Sequence, residues 1–216
     1  MKSANSPEPK PATTGSGSDY VSPPFLVAAV GASAGGLAAF SSLLGGIAAD
    51  AALAVVLVQH MSRTQPSLLP EILAKRTALR VILATDAVLV ERGCVYVIPP
   101  DKHMTVLDGH LRVTPRPKDQ GSVQIDALFR SVAEFYREKS VGVVLSGALS
   151  DGAEGFKAIR AAGGVTIAQL PDEAQTESMP RAAIATGDVD LILPTEKISE
   201  ELLHLSKLPR YNRQSG

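Results

Sequence analysis

Three polar side chains stand just after apolar runs of strand length. They are Ser33 in Gly31-Ala32-Ser33-Ala34-Gly35-Gly36, His60 after "ALAVVLVQ", and Asp151 in "SGALSDG". A serine, a histidine and an aspartate supply a nucleophile, a general base and an orienter for that base. Gly31-x-Ser33-x-Gly35 has the spacing of a nucleophile elbow. Small neighbours let the chain turn tightly and expose the hydroxyl, and the following helix N-terminus offers backbone N–H groups to an oxyanion.

The same residues support other readings. Gly31, Gly35 and Gly36 follow the first strand, as in a phosphate-binding turn. Their Gly-x-x-x-Gly-Gly spacing fits G-x-G-x-x-G poorly, and the second strand ends in Gln59-His60-Met61, with no acid to hold a ribose. The loop also reads as a plain tight turn with Ser33 as N-cap. His60 reads equally as a hydrogen-bonded core histidine, and Asp151, before Gly152, as the cap of its own helix. His103 and His110 fall in a hairpin and His204 in a terminal helix, and no pair has the spacing of a metal site.

Stepping outward, the elements that must position these residues alternate regularly. Strands are predicted at 25–30, 52–58, 79–84, 141–146, 164–169 and 189–194. Their continuous β-branched and aliphatic character is that of strands buried on both faces. Helices are predicted near 36–48, 67–77, 124–138, 153–162, 179–186 and 196–206. The alternation implies an α/β fold with an open, doubly wound, mostly parallel sheet. In such sheets ligands bind beyond the carboxyl ends of the strands, which is where Ser33, His60 and Asp151 all fall. Residues 94–113, with two alternating runs around Asp108-Gly109, predict an antiparallel β-hairpin insertion on the edge of that sheet. The Pro-rich "TPRPKDQGS" after it predicts a surface loop, and no internal repeat is evident.

Composition narrows the function. A net charge of −1, 4% aromatic residues and no Trp argue against nucleic-acid binding. The single Cys94, in the apolar "GCVYVIPP", excludes an internal disulfide and a multi-cysteine metal site, and reads as a buried structural thiol. Residues 1–24 are rich in Pro, Ser, Thr and Gly and lack an apolar core, so they read as a disordered tail rather than a secretory signal. No run of apolar residues is long enough to insert in a membrane, and the expected location is cytoplasmic. Residues 25–207 form the folded domain and 208–216 a second frayed tail.

With these residues in hand, the chain resembles the catalytic domain of the CheB-type chemotaxis methylesterases. The shared segments run in order over most of residues 25–195: "VGASAGG", "VQHM", "VYVIPPDKHM", "IDALFRSVA", "VVLSGALSDGAEG", "AAGGVTIAQ" and "ESMPRAAIATGDVD". The resemblance implies a Rossmann-like sheet and a serine hydrolase that removes methyl esters from receptor glutamates and deamidates receptor glutamines. Carried over by motif, Ser33 is the nucleophile, His60 the base and Asp151 the orienter. It implies no metal and no organic cofactor, with a methylated receptor protein as the substrate partner. Residues 1–24 stand where the family has a phospho-accepting receiver domain, so regulation is expected from a partner in trans. Ala34 stands where many members have Thr, and "SGALSDG" where the usual motif is "TGMGxDG", which places Ala148 and Leu149 on the rim. A catalytically weakened scaffold and a nucleotide-binding module are the competing readings.

Overall fold

Aliphatic runs too apolar to carry a solvent face become strands with helices on both sides. The computed structural model describes residues 23–60, 67–117 and 123–209. Residues 1–22 and 210–216 of the predicted tails, residues 118–122 at the end of the Pro-rich loop, and Met61 lie outside the described residues. The chain runs β1 (Leu26–Ala32), α1 (Gly36–Gly45), β2 (Leu53–Gln59), α2 (Leu69–Ala74), β3 (Arg80–Leu83), β4 (Cys94–Val97), β5 (Lys102–Leu107) and β6 (His110–Pro115). It continues through α3 (Gln124–Tyr136), β7 (Ser140–Val144), α4 (Ala153–Ala161), β8 (Val165–Gln169), α5 (Ser178–Ala185), β9 (Leu191–Leu193) and α6 (Thr195–Lys207). Every predicted helix forms, with ends shifted by a few residues.

Seven strands pair in the order β3-β4-β2-β1-β7-β8-β9, all parallel. β1 lies at the centre, and all seven of its residues are buried. Its side chains alternate between two cores, as the period of a strand requires. Val27 and Ala29 pack with α3, α4 and the hairpin, whereas Leu26, Ala28 and Val30 pack with α1, α2 and α6. After β4 the chain crosses back over β1 to build the other half of the sheet from β7. The loops that follow β1 and β7 therefore diverge, which opens a crevice at the carboxyl edge.

The hairpin differs from expectation. Cys94–Val97, predicted as part of an edge insertion, is an interior strand, β4, paired in parallel with both β2 and β3. Its four residues are all buried, and a strand covered on both faces has no reason to alternate. Pro99-Pro100 ends it, since proline cannot donate to a ladder. The alternating pattern belongs only to β5 and β6, which form a separate antiparallel pair turning at Asp108 (φ 49°) and Gly109 (φ 76°). That pair leans on α3, where Gln124 Nε2 donates to the Lys102 carbonyl at 2.6 Å and Ser131 Oγ accepts from the Val106 N–H at 3.0 Å. Cys94 is buried as expected, with its sulfur 3.2 Å from Arg80 Nη2.

Helix α3 approaches β1 closely because Gly31 has no side chain. A Cβ there would lie 2.4–2.8 Å from three side-chain atoms of Ile125. Gly31→Ala should therefore destabilise the fold by about 1–3 kcal/mol through overpacking. Urea unfolding measures the loss, and a double-mutant cycle with Ile125→Ala should show strong coupling between the two positions.

Candidate active site

The three residues singled out by type all reach the carboxyl edge of the sheet. Ser33 leaves β1 through a turn held on both sides. Its N–H donates to the Ser146 carbonyl at 3.0 Å, and its carbonyl accepts from the Gly36 N–H at 2.9 Å. Gly35 has a left-handed φ of 81°, and a Cβ there would meet Ser146 Oγ at 2.6 Å and Gln175 Cβ at 2.8 Å. Only glycine fits that position. No side chain caps α1, so Ser33 is not an N-cap. Its Oγ makes no hydrogen bond among the described residues, and the N–H groups of Ala34 and Gly35 likewise donate to no acceptor there.

His60 follows β2, and its backbone N–H donates to the Ala32 carbonyl at 3.1 Å, which ties it to the serine turn. Its Nε2 lies 2.7 Å from Asp151 Oδ2; the histidine side chain is 12% exposed and the aspartate side chain fully buried. A carboxylate acceptor there selects the Nε2–H tautomer. His60 and Asp151 are thus joined directly. Ser33 and His60 share one cleft but no hydrogen bond, a separation common in unliganded sites.

Asp151 does not cap its own helix. Its Oδ2 also accepts from the Ile125 N–H at 3.0 Å, and its Oδ1 from the Asp126 N–H at 3.0 Å, so it closes the start of α3. Helix α4 is closed in return by Asp126, whose Oδ1 accepts from Gly152 and Gly155 at 3.0 and 2.7 Å. Burial pushes the Asp126 carboxyl above its ordinary range, opposed by the Gly155 hydrogen bond and reinforced by the charge of Asp151. Sequence reasoning missed Asp126. The available signal was an acid on the apolar stripe of α3, beside Ile125 and Phe129.

Ser146 was missed as well. It is 1% exposed; its Oγ donates to the Ala34 carbonyl at 2.8 Å and accepts from the Thr176 N–H at 2.9 Å. It pins the serine turn to the loop before α5. The segment from Ser146 to Gly152 then spans from the serine to the histidine's partner. At its crest Leu149 is 69% exposed with a φ of 70°, unfavourable for a leucine. His103 on β5 is near enough to Asp151 to be drawn upward by its charge, but burial dominates and lowers the imidazole below its ordinary range. His110 bonds within the hairpin turn and His204 lies on α6; neither is placed with the other three.

The cleft has a volume of about 920 Å³ and is lined by the turn from Ser33 to Ala38, by Gln59 and His60, and by Ile72, Arg76 and Gln175. Among the described residues no three His, Cys, Asp or Glu side chains gather to hold a metal ion. No helix of the described residues is long and apolar enough to cross a membrane. Chemically, the cleft offers a hydroxyl, a carboxylate-oriented imidazole and two undonated backbone N–H groups at a helix start.

Residues 28–202 match the family described as CheB methylesterase. A protein-glutamate methylesterase/protein-glutamine glutaminase of Methanosarcina barkeri is 34% identical over 188 residues, which cover 83% of this chain and 52% of that one. Protein-glutamate methylesterase/protein-glutamine glutaminase 2 of Cupriavidus metallidurans is 40% identical over 182 residues, covering 83% and 54%. The chain thus spans about half the length of these relatives. The crystal structure of the Thermotoga maritima CheB methylesterase catalytic domain superposes with a TM-score of 0.77 at 27% identity, covering 84% of this chain and 98% of that one.

Two substitutions test the capping exchange. Asp126→Ala strands two buried N–H groups and should cost about 1–3 kcal/mol in urea unfolding. Asp126→Asn keeps an acceptor and removes the charge. The raised carboxyl makes Asp126 most favourable when protonated, so wild-type stability relative to Asp126→Asn should fall as pH rises from the ordinary carboxylate range through the raised one. Leu149→Gly relieves the left-handed backbone and should raise stability by up to about 1 kcal/mol, read as a higher Tm.

Proposed function

The chain belongs to the CheB methylesterase family, and we propose that it is a serine esterase removing γ-methyl esters from glutamate side chains of a receptor-like protein. The observation that carries this reading is the 2.7 Å bond between His60 and the buried Asp151 in the cleft that also holds Ser33. In the Nε2–H tautomer held by Asp151, Nδ1 is the basic nitrogen and takes the Ser33 proton. Ser33 Oγ attacks the ester carbonyl, and the tetrahedral oxyanion forms against the N–H groups of Ala34 and Gly35. Collapse expels methanol, which leaves with the proton from His60, and water then hydrolyses the acyl-enzyme by the same steps in reverse order. A glutamine side chain in the same pose loses ammonia instead of methanol, so deamidation of glutamine is the companion activity. The setting we propose is chemotaxis-type signalling.

The experiment is methanol release from a methylated receptor fragment. Ser33→Ala should abolish release with the fold intact by circular dichroism, and undiminished release would refute the assignment. Asp151→Asn should slow release by about 10³–10⁴-fold through loss of tautomer control. A fluorophosphonate probe separates an enzyme from a scaffold that has kept the fold: labelling of Ser33 supports the enzyme, and unlabelled folded protein the scaffold.

A further inference from the structure

The cleft carries one side chain of fixed charge among its described lining residues, Arg76. Its backbone is anchored firmly. Leu69 and Leu73 bury the apolar side of α2, the Arg76 N–H donates to the Leu73 carbonyl at 2.8 Å, and Thr77 Oγ1 donates to the Leu44 carbonyl of α1 at 3.1 Å. The side chain, in contrast, is exposed and has no ion-pair or hydrogen-bond partner among the described residues. Other arginines are spent on the protein itself, Arg80 on Glu91 at 2.7 Å and Arg181 on Glu177 at 2.8 Å. Among the described residues no carboxylate lines this cleft. Glu196 and Glu200 share with Arg76 the adjoining pocket on its other side, but neither forms an ion pair with it. A guanidinium left unpaired among the described residues at the wall of a cleft is suited to a carboxylate supplied from outside.

Resting on the esterase reading of this cleft, we propose that Arg76 is a specificity residue that binds a side-chain carboxylate flanking the scissile ester of the protein substrate. The chemistry supplies such a ligand. Each turnover converts a neutral glutamyl ester into a glutamate, so a substrate with several esters gains carboxylates as it is processed. A site already hydrolysed then helps to dock its neighbour, and the last esters of a cluster are removed more readily than the first.

The test uses helical peptides that carry one glutamyl methyl ester flanked by Glu, Gln or Lys. Wild-type kcat/KM should fall in the order Glu, Gln, Lys, with about a three- to fivefold step at each exchange, as for a partly exposed ion pair. Arg76→Gln should remove the ranking by raising KM for the Glu-flanked peptide with kcat retained. Arg76→Glu should invert it toward Lys, and Arg76→Lys should restore part of it. A wild-type enzyme indifferent to the flank, or an Arg76→Gln variant that keeps the ranking, overturns the proposal. Binding of the same peptides, with glutamine at the ester position, to the Ser33→Ala chain by fluorescence anisotropy reads the preference without turnover. A Glu preference there that Arg76→Gln abolishes upholds Arg76 even if wild type hydrolyses no ester, an outcome that sinks only the esterase reading. No preference there sinks Arg76.

Discussion

The site depends on a swap of helix caps. Every helix begins with N–H groups that its own turns do not satisfy. Here each of two adjacent helices gives those donors to an aspartate belonging to the other's start: Asp151 closes α3, and Asp126 closes α4. Two buried carboxylates so close repel, which adds to burial in raising the Asp126 carboxyl, while fixed backbone donors at a helix start hold each of them in place. Because Asp151 is immobilised by the main chain, it can hold His60 Nε2 in one direction. The stacked rings of Phe129 and Phe156, 5.5 Å apart, lock the two helices in the register the swap needs.

On the Ser33 side of the cleft the governing constraint is steric. Gly31 lets α3 lie against β1, Gly35 lets the turn pass Ser146 and Gln175, and Gly147 leaves room for Met179 and Ser33, where a Cβ would lie 2.1 Å from Met179 Sδ. What looked like a phosphate-binding glycine pattern is therefore spent on close approach of protein to protein. Gln59, standing where a ribose-binding acid would be, turns its amide toward the Ser33 carbonyl at 3.5 Å.

Much of this was legible in the sequence, and the reasons differ by residue. Ser33, His60 and Asp151 could be found because a parallel sheet delivers whatever follows its strands to one edge, so that local patterns placed them together. Their individual alternatives were not separable locally. That Asp151 caps α3 rather than α4, and that α1 has no side-chain cap at all, depends on contacts between residues some twenty-five positions apart. Ser146 and Asp126 were hidden for the same reason: each works through backbone groups of a distant loop, which leave no imprint on spacing. The misplaced strand β4 has a simpler cause. Its four apolar residues sit next to a true alternating hairpin, and a short buried run carries no period of its own.

The two sides of the sheet contribute unequally to the cleft. Ser33 is carried into α1, in the layer packed with α2 and α6, while Asp151 takes its backbone partners from α3, in the opposite layer with the hairpin. His60 bridges them at the strand ends. The serine, histidine and aspartate thus coexist only when both layers are seated, as a lock that needs two keys turned together. A chain with either layer loosened has no assembled site, so the site reports on the folding of the whole domain rather than of one half.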